Sequence, residues 1–290
     1  MITAEVGGMA SFEELSSAAT AARWATALIG AGSLINVLQQ VGDRAAFARD
    51  GMLGCDTLAR SHHVGARRLG STTVAGLAFS APVVTALVVV EVVASCALVV
   101  GRSGAVLVPA LAAVFGARAY HYGRDRFGFE GADQMRLIVL AGLLWYHLMP
   151  SPPNGAARGS GDVALVFIGA QCVLAYVTAG VVKVRDAGWR NGRAMADVLR
   201  SGMFGRNPAS SLLLRAGLAP ALAATMLTFE CAGWVLLFGG AVGILLYVTV
   251  AAAFHVANAV VMGLDRFVWV FGAALPCVAF AALRFAPHVG

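Results

Sequence analysis

Eight stretches of this chain stay apolar for close to the length a helix needs to cross a bilayer, about 20 residues. They cover residues 20–41, 73–100, 104–120, 131–150, 162–184, 213–238, 241–262 and 266–285. The third is short and only Gly239-Gly240 parts the sixth from the seventh, so a count of seven, eight or nine fits the pattern. In hydrocarbon every backbone N–H and C=O must find its partner inside the protein, which leaves helices or closed barrels. The period-two alternation of barrel strands is absent, so the expected class is all-α, a polytopic transmembrane helical bundle. Composition agrees. Hydrophobic residues make up 59% and charged residues 12%, against about 25% charged in soluble domains, and the mean hydropathy is +0.78.

Residues 1–19 hold Glu5, Glu13 and Glu14 and no cationic start, unlike a cleavable signal. They are expected to form a short external segment before one transmembrane domain over 20–285, with 286–290 as a tail. The cysteines at 55, 96, 172, 231 and 277 include no CxxC, so neither a metal knuckle nor a redox pair is expected, and no metal is predicted.

Twenty of the cationic residues are arginine and one is lysine. The odd-numbered loops carry Arg44, Arg49, Arg60, Arg67, Arg68, Arg124, Arg126, Arg185, Arg190, Arg193, Arg200, Arg206 and Arg266, whereas the even-numbered loops carry Arg102 and Arg158. The positive-inside rule then places the odd loops in the cytoplasm and both termini outside. The net charge of +6 reads as topology and contact with anionic headgroups. No aromatic interleaving accompanies these arginines, so membrane lipids and not nucleic acid are the expected partners.

The longest non-spanning segments are 42–72 and 185–212. In the second, apolar Trp189, Met195, Val198 and Leu199 interleave with Arg190, Arg193 and Arg200, the pattern of an interfacial amphipathic helix near 189–205. Residues 151–161, with Pro152-Pro153, read as an external loop. No internal repeat is evident, which weakens a transporter reading.

Polar residues inside spans are costly and mark sites. Here they are Glu91, Asp133, His147, Gln171, Lys183, Glu230, His255 and Asn258. Counting about 1.5 Å per residue from the run ends puts Lys183, Asp133, His255 and Asn258 toward the arginine-rich side, where they are expected to converge. The same count puts Glu91, Glu230 and His147 toward the other. Structural alternatives exist for each. Asp133 can pair with Arg136, His255 and Asn258 can join helices by hydrogen bonds, and Glu91 and Glu230 can bond each other or a neighbouring hydroxyl. His62, His63 and His121 are read as solvated loop residues.

Lys183 is the lone lysine. A guanidinium stays protonated, whereas an ammonium in a poorly solvated site can give up its proton and act as a base; the alternative is a lysine snorkelling at a helix end. Tyr176, Ala179, Gly180 and Lys183 follow one helical face, small in its middle, which a neighbouring helix or a flat ring can approach.

The run Tyr176-Val-Thr-Ala-Gly180-Val-Val-Lys183, followed by Trp189-Arg-Asn-Gly192-Arg-Ala-Met195, resembles the membrane core of vitamin K-dependent γ-carboxylases and, more broadly, the HTTM (horizontally transferred transmembrane domain) family. Thr228-Phe-Glu230-Cys-Ala-Gly233 and Phe254-His255-Val-Ala-Asn258 are similar to two further family segments, in the same order, over residues 130–285. The resemblance implies an HTTM-type fold in a bacterial cytoplasmic (inner) membrane. It implies Lys183, His255 and Asp133 as catalytic candidates, with Lys183 the base toward a reduced quinone, and Asn258, Tyr176, Gly180 and Trp189 as quinone-binding candidates. Glu230 and Glu91 take secondary or structural roles.

Two departures shape that expectation. Gly131-Ala-Asp133-Gln134 stands where the carboxylases supply a histidine, and it resembles the Gly-x-Asp-Gln of short bacterial members such as the B component of sporulation-delaying toxin systems. The spacing from Lys183 to Trp189 is one residue longer than in the carboxylases, which carry a large extramembrane domain after their helices; this chain stops at Gly290. True γ-carboxylation is therefore not expected. Two functions are: an enzyme acting on a membrane-embedded quinone or similar lipophilic substrate, or a non-catalytic factor assisting maturation or export of a secreted peptide toxin, with that peptide or another protein as partner.

Overall fold

In a computed structural model, residues 17–43, 51, 54, 81–124, 130–149, 160–201 and 208–285 are described. Within them the chain is helical, with no strand. The elements are α1 (Ala18–Gly42), α2 (Ala81–Val100), α3 (Gly104–Arg124), α4 (Gly131–Leu148), α5 (Ser160–Arg185), α6 (Ala187–Arg190), α7 (Arg193–Arg200), α8 (Pro208–Arg215), α9 (Ala219–Ala232), α10 (Gly240–Met262) and α11 (Asp265–Phe285). A 3-10 segment, Gly233–Phe238, prolongs α9. Seven of these helices are long and apolar enough to span a bilayer. The protein is an all-α polytopic membrane protein. The fourth apolar run forms α4, whose 18 residues lie at the short end for a span and carry Asp133, Gln134 and Arg136 in the first two turns. His62, His63 and most of the loops at 42–72 and 151–161 lie outside the described residues.

Two run boundaries differ from expectation, and a third falls where expected. The third run is not short: α3 continues to Arg124 and carries Arg118 and His121 as buried residues. His121 is therefore a core histidine and not a solvated loop residue. The sixth run does not begin at 213, because the short helix α8 ends at Arg215 and a turn with Gly217 at φ +67° precedes α9. The break between the sixth and seventh runs falls at Gly239-Gly240, with Gly240 at φ +64°, a conformation that costs glycine little.

The chain divides into two compact units, residues 26–150 and residues 1–25 with 151–290. In the first, α3 packs between α2 and α4. The part of α1 that belongs to it reaches all three. Gly30 lies so close to α2 that a Cβ there would stand 2.6 Å from Leu98 Cβ. Thr26 Oγ1 lies 3.3 Å from His147 Nε2 on α4, and Asn36 meets Arg118 on α3.

In the second unit α5 packs against both α11 and α9, and α10 packs against α11. The Arg284–Asp162 ion pair, 2.9 Å, joins the end of α11 to the start of α5. Val163, Val182, Val242 and Val260 are all more than half exposed, as lipid-facing positions of a spanning helix are. The amphipathic pattern near 189–205 folds as α6 and α7; residues 202–205 are outside the described part. Met195 and Leu199 of α7 do not lie open to lipid. They pack into a cluster with Ala219, Ala223, Met226 and Leu227 of α9, joined by Trp189, while Arg193 and Arg200 stay exposed.

Candidate functional site

Lys183, two residues from the end of α5, reaches the carboxylate of Glu230 on α9. Its Nζ lies 2.5 Å from Oε1 and 2.8 Å from Oε2. Glu230 is 4% exposed and Lys183 24%, so the carboxylate is enclosed and the ammonium is the side from which the pair can be approached. The indole ring of Trp189 stands 5.6 Å from Nζ, within range of a cation–π contact.

Local structure explains how Trp189 comes to sit there. Asp186 interrupts α5 and caps α6, its Oδ1 accepting from the Trp189 N–H at 3.1 Å. Arg190 then closes the corner by donating to the Val184 and Arg185 carbonyls at 2.8 and 2.9 Å. The chain thus continues past Arg185 in the direction of α5, down to Gly192. Gly192 has φ +78°, and a Cβ there would meet Pro220 Cα at 2.5 Å. At the other end, a Cβ on Gly180 would stand 2.8 Å from Cys231 Sγ and Glu230 Cβ.

These two close approaches set the register: residue 180 is level with 230–231, and residue 192 with 220. The expected placement of Glu230 on the side opposite Lys183 is therefore wrong. That placement assumed that both spans end level. In fact α9 starts level with Gly192, well beyond the end of α5, so Lys183 faces the second half of α9. Glu230 and Glu91 each have a basic partner, Lys183 and Arg118.

The face of Tyr176, Ala179, Gly180 and Lys183 is real, but α9 fills the space over Gly180. Its smallness admits a helix and leaves no room there for a flat ring. Beside it, Trp234 Nε1 donates to the Cys231 carbonyl at 2.9 Å, satisfying an acceptor freed where α9 loosens into the 3-10 segment.

Deeper on α5, Tyr176 Oη and His255 Nε2 on α10 are 2.6 Å apart. His255 stacks on Phe271 with ring centroids 4.5 Å apart. Tyr176 meets Phe229, Phe254 and Tyr247 edge-on. Both Tyr176 and His255 are buried. His255 thus joins helices α5 and α10, while its Nδ1 is buried without a hydrogen-bond partner. Asn258, one turn on, supplies its backbone carbonyl to the cap of α10 at Gly263 and Leu264.

Asp133 and Glu91 belong to the other unit. Asp133 closes a capping box with Glu130, its Oδ2 accepting from the Glu130 N–H at 3.1 Å. Glu91 is fully buried and ion-paired with Arg118, which also donates from Nη1 to Asn36 Oδ1 at 2.5 Å. Neither Arg118 nor Asn36 stood out in the sequence. Arg118 lies inside the third run, two residues from its end at 120. The spacing of Ser33, Asn36 and Gln40 on one face of α1 was the available signal. Among the described residues no three His, Cys, Asp or Glu side chains group as metal ligands. Comparison with protein-family models, with curated proteins and with solved structures finds no match to this chain.

Proposed function

We propose that the protein is an HTTM-like integral membrane enzyme whose acid–base centre is the Lys183–Glu230 pair, acting on a lipophilic substrate of the reduced quinone class. The observation that carries this reading is an ion pair inside a spanning bundle that keeps its ammonium partly accessible beside an indole ring. An ion pair in a membrane interior is costly unless it is used or fully satisfied.

The short Nζ···Oε1 contact supplies the step that a lysine base requires. Transfer of one ammonium proton from Nζ to Glu230 leaves a neutral amine without moving a heavy atom. The amine lone pair then takes the hydroxyl proton of a bound quinol, and the product is a quinolate facing an ammonium. Trp189 would stack on the substrate ring. Tyr176 and His255, too deep and too enclosed to meet it first, hold α5 and α10 in place. The loop arginines support a bacterial cytoplasmic membrane with the odd-numbered loops inside.

The experiment is a binding titration of the protein in lipid nanodiscs with a reduced short-chain naphthoquinone, followed by ultraviolet absorbance of the bound quinol. The wild type is expected to hold the quinolate, Lys183→Arg to bind the quinol in its neutral form, and Trp189→Ala to bind weakly. If the wild type binds no quinol, or binds it only in neutral form, the enzyme reading fails. The ion pair is then a helix staple, as expected of a non-catalytic factor assisting maturation of a secreted peptide.

A further inference from the structure

In the unit formed by residues 26–150, a second polar feature is independent of the lysine site. Ser33, Asn36 and Gln40 follow one face of α1, and Glu91 and Ser95 one face of α2. The two rows approach each other at two points. A Cβ on Gly30 would lie 3.2 Å from the Ser95 carbonyl, and the α3 residue Arg118 bonds both Asn36 and Glu91. Ser33, Ser95 and Glu91 are fully buried, Asn36 nearly so.

The protein itself leaves much of this seam unsatisfied. Ser33 Oγ, Asn36 Nδ2, Gln40 Oε1, Glu91 Oε2 and Ser95 Oγ are buried with no hydrogen-bond partner. Each such group costs free energy unless something bonds it, and in an apolar membrane bundle no bulk solvent is at hand. Five orphan atoms on two such rows are too many for chance, since native interiors leave few.

Their chemistry selects the ligand. The orphans mix donors and acceptors. The Glu91 carboxylate is ion-paired with the Arg118 guanidinium, and the other four orphan atoms belong to neutral side chains. A small neutral molecule that both donates and accepts is required, and water meets this with two to four bonds per molecule. The row begins at the partly exposed Gln40, two residues from the end of α1, and runs to Ser33 near its middle, about 10 Å at the helical rise.

We propose that the α1–α2–α3 seam is a water-filled inlet, open at the end of α1 and leading to Glu91 in the middle of α2. Such an inlet carries protons or water to the bilayer interior.

The test is cysteine accessibility in proteoliposomes, in a background with the native cysteines replaced. Thiols react through the thiolate, which forms in water and not in hydrocarbon, so Ser33→Cys and Ser95→Cys are expected to react with a small hydrophilic methanethiosulfonate about tenfold or more faster than lipid-facing Val93→Cys. Ser33→Ala and Ser95→Ala provide a second reading that needs no reagent access. In a hydrated seam each lowers the melting temperature, because a bonded water loses a partner; in a dry seam each raises it, because an unsatisfied hydroxyl is removed. Reaction of both thiols no faster than Val93→Cys, or a rise in melting temperature for both alanine variants, overturns the proposal.

Discussion

Lys183 and Glu230 form a two-pronged contact between α5 and α9, at 2.5 and 2.8 Å, in which the carboxylate is enclosed and the ammonium is not. This asymmetry decides what each substitution does. Removing the lysine strands a buried carboxylate, whereas removing the acid leaves a cation that can swing toward solvent.

Lys183→Met is accordingly expected to destabilise the protein by about 3 kcal/mol, near the lower end for breaking a buried pair. Glu230→Leu costs less, and the Lys183→Met/Glu230→Leu double variant recovers most of the loss. Thermal unfolding in a fixed detergent, arranged as a double-mutant cycle, checks this. Additive losses would mean that the pair is not coupled.

The buried Glu91–Arg118 pair should be less forgiving. Both partners are at or below a tenth exposed, and Arg118 also satisfies Asn36. Arg118→Met is expected to cost about 3–5 kcal/mol, more than Lys183→Met under the same conditions. A smaller loss for Arg118→Met than for Lys183→Met would show that the carboxylate finds another partner.

Gly180 and Gly116 make a matched comparison. A Cβ at Gly180 meets Cys231 Sγ and Glu230 Cβ at 2.8 Å and the Cys231 backbone nitrogen at 3.0 Å, while one at Gly116 in α3 meets nothing within 4 Å. Gly180→Ala should therefore destabilise by about 1–3 kcal/mol through overpacking. Gly116→Ala should be neutral or stabilise by up to about 1 kcal/mol through helix propensity. Melting temperatures that move in the same direction for both would contradict the register of α5 on α9.

Tyr176→Phe removes the hydrogen bond at 2.6 Å to His255 Nε2 and leaves the enclosed imidazole with neither nitrogen bonded. A loss of about 1–3 kcal/mol is expected from the stranded polar group. The further change His255→Phe on that background should restore part of it. If the double variant is the less stable of the two, the imidazole is bonded in another way.

Much of this architecture is legible in the linear chain because the bilayer imposes it. A run of about 20 apolar residues must become a helix, since nothing else satisfies the backbone in hydrocarbon. The break at Gly239-Gly240, the amphipathic turn pattern after Arg185 and the shared face of Tyr176, Gly180 and Lys183 follow from local geometry. Partner choice does not. Glu230 was assigned to the wrong depth because depth was counted from run ends, whereas the chain continues past Arg185 to Gly192 before α9 begins. His121 lies one residue past the apolar run, yet α3 continues to Arg124 and buries it.

The sequence by itself determined an all-α membrane-spanning chain and the polar residues that such a chain must accommodate. Only the tertiary structure decided that Lys183 meets Glu230, that Arg118 meets Glu91 and Asn36, and that α9 rather than a ring covers Gly180. Helix formation depends on neighbours three and four residues away, which the sequence displays directly. The pairing of buried charges depends on the axial register and rotation of packed helices, and those are set by contacts such as Gly180 on Cys231 and Gly192 on Pro220 between residues far apart in the chain.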